Sequence, residues 1–210
     1  MIKISRSAVE QHLNCQRCFY LNKVGNIKNI GMPAFSLNSA HDELMKKELD
    51  ICREKAEAHP YMEGLDRNLI PFQHENMEDW RNNRKGITYH HEKTDLIITG
   101  SVDDVWIDTD TNELVIVEYK STSTQKEIDL NDGTPWKEQY KRQIDIYQWL
   151  FKMNGFSVAD ESVFLYSNGL KTSRKFNDVM KFKTHVLEYK GSTEWVEEQI
   201  LEIKYVLDGN

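Results

Sequence analysis

An α/β fold, a mixed central sheet flanked by helices with a helical N-terminal region covering it, is predicted by three features of the sequence. Residues 87–120 are dense in β-branched and aromatic residues at the two-residue period of strands. Helical periodicity dominates residues 36–52, 135–153 and 193–206. The chain has 210 residues, 39% of them hydrophobic and 29% charged, enough for one domain with a buried core and too apolar for disorder. One domain over 1–210 is therefore expected, with 1–85 mainly helical and 86–210 holding the sheet and its flanking helices.

The elements follow in order. Ser7-Ala8-Val9-Glu10 has the form of a capping box, which predicts a short helix through Leu13 toward Cys18. Asn26 to Pro33 reads as loop. Ser36 opens a long helix whose inward stripe is expected to carry Leu37, His41, Leu44, Ile51 and Cys52. From His59 to Gly86 the prolines and Gly64 interrupt any period, so a linker is expected, with a short helix at Met77–Arg81. Strands are predicted at 87–91, 95–99, 102–107 and 113–120. Thr134-Pro135 starts a helix that Asn154-Gly155 ends, with Tyr140, Ile144, Tyr147 and Phe151 on one face. Two more strands, 162–166 and 182–189, precede a final helix capped at Ser192-Thr193.

Composition excludes several function classes. No uninterrupted apolar run exceeds four residues, which excludes a membrane-spanning helix. The first twenty residues carry no signal peptide or lipidation motif, so a cytoplasmic location is expected. Three cysteines, Cys15, Cys18 and Cys52, do not make a disulfide framework. With 27 basic against 34 acidic side chains the net charge is −7, which opposes a broad basic face for nucleic acid unless bound cations reverse the local field.

The chemistry concentrates between Gly100 and Lys120. Asp108-Thr109-Asp110-Thr111-Asn112 has turn composition between two strands. If Asp108 pairs with Glu113, paired residue numbers sum to 221, and Asp103 falls opposite Glu118. Lys120 then shares the face of Glu118, together with Val105, Ile107, Leu114 and Ile116. Opposed carboxylates repel and call for a cation. Mg²⁺ or Mn²⁺ suits hard oxygen ligands with open positions, can polarise a phosphoryl oxygen and activates water. Lys120 is placed to orient that water or to stabilise charge on the phosphate. The implied reaction is metal-assisted phosphodiester hydrolysis; the competing explanation is a solvated strand end with a weak surface ion pair.

Four segments together resemble the RecB-like branch of the PD-(D/E)xK nuclease superfamily, including relatives of the CRISPR-adaptation nuclease. They are Asn14-Cys15-Gln16-Arg17-Cys18-Phe19-Tyr20-Leu21, Ala40-His41-Asp42, Gly100-x-x-Asp103 with Glu118-Tyr119-Lys120, and Gln143-Ile144-Asp145-Ile146-Tyr147, in the family's order. The resemblance implies a restriction-endonuclease-like fold. It makes Asp103, Glu118 and Lys120 catalytic, with Asp103, Glu118, the Tyr119 backbone carbonyl and His41 as ligands of Mg²⁺ or Mn²⁺. Gln143, Tyr147, Arg17 and Tyr20 would touch the nucleic acid.

The implied activity is a DNA exonuclease on single-stranded ends or tails; the alternative is a catalytically silent nucleic-acid-binding subunit. The acidic chain leaves room for a protein partner that loads the DNA. Many members hold an iron–sulfur cluster through late cysteines, and none follows Cys52, so no such cluster is expected. Cys15 and Cys18 are then read as buried small hydrophobes. The basic groups Arg81, Arg84, Lys85 and Lys171, Arg174, Lys175 are candidate phosphate contacts or solvated faces.

Overall fold

The computed structural model describes residues 1–27, 31 and 35–209. Its elements are β1 (Ile2–Ser5), α1 (Arg6–Asn14), α2 (Gln16–Lys23), α3 (Ser36–Lys55), β2 (Leu69–Pro71), α4 (Met77–Arg81), β3 (Ile87–His91), β4 (Leu96–Gly100), β5 (Asp104–Asp108), β6 (Leu114–Thr122), α5 (Pro135–Met153), β7 (Glu161–Gly169), β8 (Phe182–Lys190) and α6 (Glu194–Leu207). Part of the expected 26–33 loop lies outside the described residues.

The strands form two mixed sheets rather than one. The smaller has the order β1-β4-β3, and the larger β2-β5-β6-β7-β8. The β5–β6 hairpin has the expected register: Asp104 pairs with Val117 and Ile107 with Leu114, and the Asp108 N–H donates to the Glu113 carbonyl at 2.9 Å. Asn112 closes the turn in the left-handed region, φ 60°, which asparagine tolerates. β6 and β7 are parallel, so the chain between them must cross over, and α5 makes that crossing.

Both faces of the larger sheet are covered. Val105, Leu114, Ile116 and Phe164 pack in one apolar cluster with Ile144, Tyr147 and Phe151 of α5. Trp106, Val115, Val117 and Tyr119, on the alternate face, pack with Met45 and Leu49 of α3. Fully buried strands read as continuous apolar runs for this reason, as Leu114–Val117 does. Among the described residues no helix is long and apolar enough to cross a membrane.

Several sequence expectations shift. The first cap is Ser5, whose Oγ accepts the Ala8 N–H at 3.2 Å, while Ser7 lies inside α1. That helix ends at Asn14, and Cys15 caps a separate α2. On α3 the inward row is Met45, Leu49 and Arg53; Leu37, Leu44 and Ile51 face solvent, whereas His41, one turn before Met45, is largely covered. Residues 59–86 are no linker: Met62, Leu69 and Trp80 are buried there, and β2 joins the sheet edge beside β5. A three-residue edge strand is too short to show a period.

Candidate functional site

Two adjacent aspartates end up on opposite sides of the larger sheet because β5 continues the two-residue alternation. Asp104 is fully buried and takes charge-assisted hydrogen bonds from Arg53 and from Arg81, the latter at 2.8 Å. It also accepts the Tyr119 hydroxyl at 2.8 Å. Asp50 of α3 binds the same two arginines. This cluster ties α3 and α4 to the hairpin, so Arg81, a candidate phosphate contact in sequence, is instead a buried ion-pair partner. Sequence gave Asp104 no partner, since both arginines arrive from distant helices.

Asp103 faces the other way. It sits just before β5, where the register continues opposite Glu118, and accepts the Tyr119 backbone N–H at 2.9 Å. Glu118 is buried; its Oε1 receives the Lys120 ammonium at 2.5 Å and the Gln143 amide at 2.8 Å. The same Gln143 amide donates to the Tyr147 hydroxyl at 2.9 Å, one turn along α5. Asp103, Glu118 and Lys120 thus share the face that the strand register predicts, and Gln143, bonded to Tyr147, reaches Glu118 from α5, a meeting that only the resemblance implies. Two contributors come from tertiary packing that the sequence does not display. The Lys46 ammonium of α3 stands 3.8 Å from Asp103, and the Tyr140 ring lies 4.1 Å beneath the Lys120 ammonium.

Gly100 makes room for this arrangement. A Cβ there would lie 2.6 Å from the Tyr147 ring, so β4 can pass close to α5 only without a side chain.

The electrostatics are those of a site short of positive charge. Burial, then the neighbouring Glu118, pushes the Asp103 carboxyl up to about 7. Burial alone would lower the Lys120 ammonium, but Glu118 and Asp103 outweigh it and hold it protonated. The Tyr147 phenol is raised, by burial first and by the Glu118 charge. Glu118 Oε2 is buried without a hydrogen-bond partner among the described residues. A carboxylate oxygen left in this state costs free energy unless a cation or donor meets it. Two carboxylates with one unpartnered oxygen are a donor set that fits a hard divalent cation. Among the described residues no three His, Cys, Asp or Glu side chains are gathered for a metal, so the remaining positions would fall to backbone oxygen, solvent or substrate.

The other predicted residues lie apart. His41 hydrogen-bonds Asp42 at 3.4 Å, packs against Phe182 with ring centroids 5.2 Å apart, and lines a cavity with Ser121. Arg17 and Tyr20 of α2 line a surface depression with Val206 and Gly209, away from the carboxylates. Cys15 and Cys18 are not buried hydrophobes: Cys18 is exposed, and Cys15 Sγ caps α2 by accepting the Cys18 N–H at 3.2 Å. The helix break at Cys15 brings both to the surface. His12, by contrast, is buried, with Gln199 at 2.9 Å from its Nδ1.

Comparisons with known proteins bear on this geometry. A solved structure described as the crystal structure of SSO0001 is similar at 15% identity, covering 99% of this chain and 77% of that one, with a TM-score of 0.40. No curated protein matches. The profile of the PD-(D/E)XK nuclease superfamily matches residues 3–205, nearly the whole length. Members are nucleases that generally use divalent metals such as Mg²⁺ or Mn²⁺. The match spans Asp103, Glu118 and Lys120 within a mixed α/β architecture, and the chain belongs to the PD-(D/E)XK nuclease superfamily.

Proposed function

We propose that this chain is a Mg²⁺- or Mn²⁺-dependent deoxyribonuclease that shortens DNA from single-stranded ends or tails. The observation that carries the reading is the half-buried Asp103 set beside the buried Glu118, with Glu118 Oε2 unpartnered among the described residues and Lys120 held beside it. Asp103, Glu118 and the Tyr119 carbonyl would hold the cation, with the remaining positions left to solvent or substrate and His41, implied by the resemblance, standing apart beside Phe182. When bound, the cation supplies Lewis-acid polarisation of a phosphoryl oxygen and a more acidic water.

The protein's own groups do the rest. Gln143 fixes the rotamer of Glu118 by donating to Oε1. Lys120, kept protonated and seated on Tyr140, presents N–H donors to the attacking water or to charge developing on the phosphate. With its carboxyl pushed up to about 7, Asp103 exchanges a proton near neutral pH, and a bound cation would favour its ionised form. α3 brings the Lys46 ammonium to 3.8 Å from Asp103, a second cation beside the carboxylates for a phosphate to meet. Arg17 and Tyr20 would meet nucleic acid farther along the surface.

The test is a time course on end-labelled linear and closed circular DNA, single- and double-stranded, with Mn²⁺, Mg²⁺ or EDTA, alongside Lys120→Ala. Metal-dependent shortening of linear single strands that vanishes in the variant supports the reading. Cutting of circles makes the enzyme an endonuclease. No cleavage by a folded protein that binds DNA makes it a non-catalytic subunit.

A further inference from the structure

The segment between β7 and β8 together with the first two residues of β8, Lys171-Thr172-Ser173-Arg174-Lys175-Phe176-Asn177-Asp178-Val179-Met180-Lys181-Phe182-Lys183, has a composition opposite to that of the chain. It carries five cationic side chains against one carboxylate, in a protein of net charge −7. All five cations are exposed. Interleaved with them, Phe176, Val179, Met180 and Phe182 are exposed as well, Phe176 to 66%. Large apolar side chains on a soluble surface cost free energy and, when grouped, mark binding surfaces.

The segment is a built feature. Asn177 and Asp178 have φ of 49° and 55°, and the Val179 N–H donates to the Phe176 carbonyl at 3.1 Å, which makes a tight turn with both central residues left-handed. Below the tip, the Leu170 N–H donates to the Lys181 carbonyl at 2.8 Å. The base is fastened to the end of β6: Ser123 Oγ donates to the Gly169 carbonyl at 2.7 Å and Lys171 to the Ser123 carbonyl at 3.1 Å.

That base opens on a cavity of about 200 Å³, lined by Leu37 and His41 of α3, Ser121 and Thr122 of β6, and Met180 and Phe182. Ser121 directly follows Lys120 on β6 but points to the Tyr119 side of the strand, so the cavity lies on the α3 side of the strand that carries the lysine. Its Phe182, Met180 and Leu37 offer faces and edges to a flat ring, and its hydroxyls offer hydrogen bonds.

We infer that the β7–β8 hairpin and this cavity bind an unpaired nucleic-acid strand, stacking its bases on Phe176 and Phe182 and its phosphates against Arg174, Lys175, Lys181 and Lys183. Aromatics interleaved with basic residues are what a single strand requires, because every unpaired base has an exposed π face and every linkage a negative charge. A duplex hides those faces. The inference rests on the nuclease reading of the carboxylate site on the same strand β6 and deepens it by naming the surface that holds the single strand.

Fluorescence anisotropy with a labelled oligothymidylate and with a blunt duplex, in Ca²⁺ and in EDTA, tests it. Phe176→Ala, at the exposed tip, is expected to raise Kd for the single strand about tenfold, and for the duplex by roughly twofold or less. Arg174→Gln with Lys175→Gln is expected to flatten the slope of log Kd against log salt by about 1.4. Unchanged single-strand affinity in both folded variants overturns the inference. So does loss of a wild-type dimer in Phe176→Ala with DNA binding intact, which would make the hairpin a contact between copies. If the wild type cuts no DNA but these variants weaken single-strand binding, the nuclease reading fails and this one stands; if it cuts and they bind normally, the reverse holds.

Discussion

Asp103 and Asp104 are neighbours in the chain and strangers in space: Asp103 meets the Tyr119 N–H and Lys46 beside Glu118, while Asp104 is buried between Arg53 and Arg81 on the other face of the sheet. The same side chain therefore has two separable jobs. Asp104→Ala leaves the Tyr119 hydroxyl without its acceptor and two buried guanidinium groups with Asp50 as their one remaining carboxylate, and is expected to cost about 3–5 kcal/mol. Asp103→Asn relieves repulsion with Glu118 and is expected to leave stability equal or higher while abolishing cleavage. Urea denaturation of the two variants, followed by a nuclease assay on the folded one, separates them.

The raised Asp103 pKa has a sign that can be checked. Without metal the folded state holds a proton that an unfolded aspartate, near 3.8, has released, so this group's contribution to stability is complete below about pH 4 and lost as pH climbs to about 7. Asp103→Asn should flatten that part of the metal-free stability profile. Metal must displace the same proton, so its affinity is expected to rise with pH through the same window, with proton release visible in calorimetry run in buffers of different ionisation enthalpy.

Lys120→Ala is expected to lower the cleavage rate by roughly 10²–10⁴-fold with little change in DNA affinity. Removing the cation also leaves Glu118 with Gln143 as its sole described partner. Comparing single-turnover rates with Kd distinguishes a chemical role from a binding one.

Gly100→Ala pushes a methyl group against the Tyr147 ring, and the Gln143 amide that bridges Tyr147 and Glu118 must move with it. Overpacking of this kind costs about 1–3 kcal/mol. Activity is expected to fall further than in Tyr147→Phe, which keeps the ring in place; thermal melts beside cleavage rates measure both effects.

What the sequence disclosed follows the range over which its signals act. The two-residue period of strands and the 108–113 turn were enough to set Asp103 opposite Glu118, and helical spacing put Gln143 and Tyr147 on one face of α5. Lys46 and Tyr140 carry no local signature, because their roles arise when α3 and α5 dock on the sheet. β1 and β2 escape notice because four and three residues cannot display alternation. On α3 the apolar spacing of Leu37, Leu44 and Ile51 pointed to an inward face that the fold leaves in solvent. Exposed apolar residues at helical spacing look the same as core residues until the packing partner is known.

β6 sends Glu118 toward Gln143 and Tyr119 toward Asp104. A slip of one residue against β5 would exchange their faces, placing the Tyr119 ring where the reaction needs a carboxylate and Glu118 in the arginine clamp. A misregistered chain could then neither close its core nor set Asp103 beside Glu118, so under the proposed function cleavage doubles as a readout of correct strand pairing.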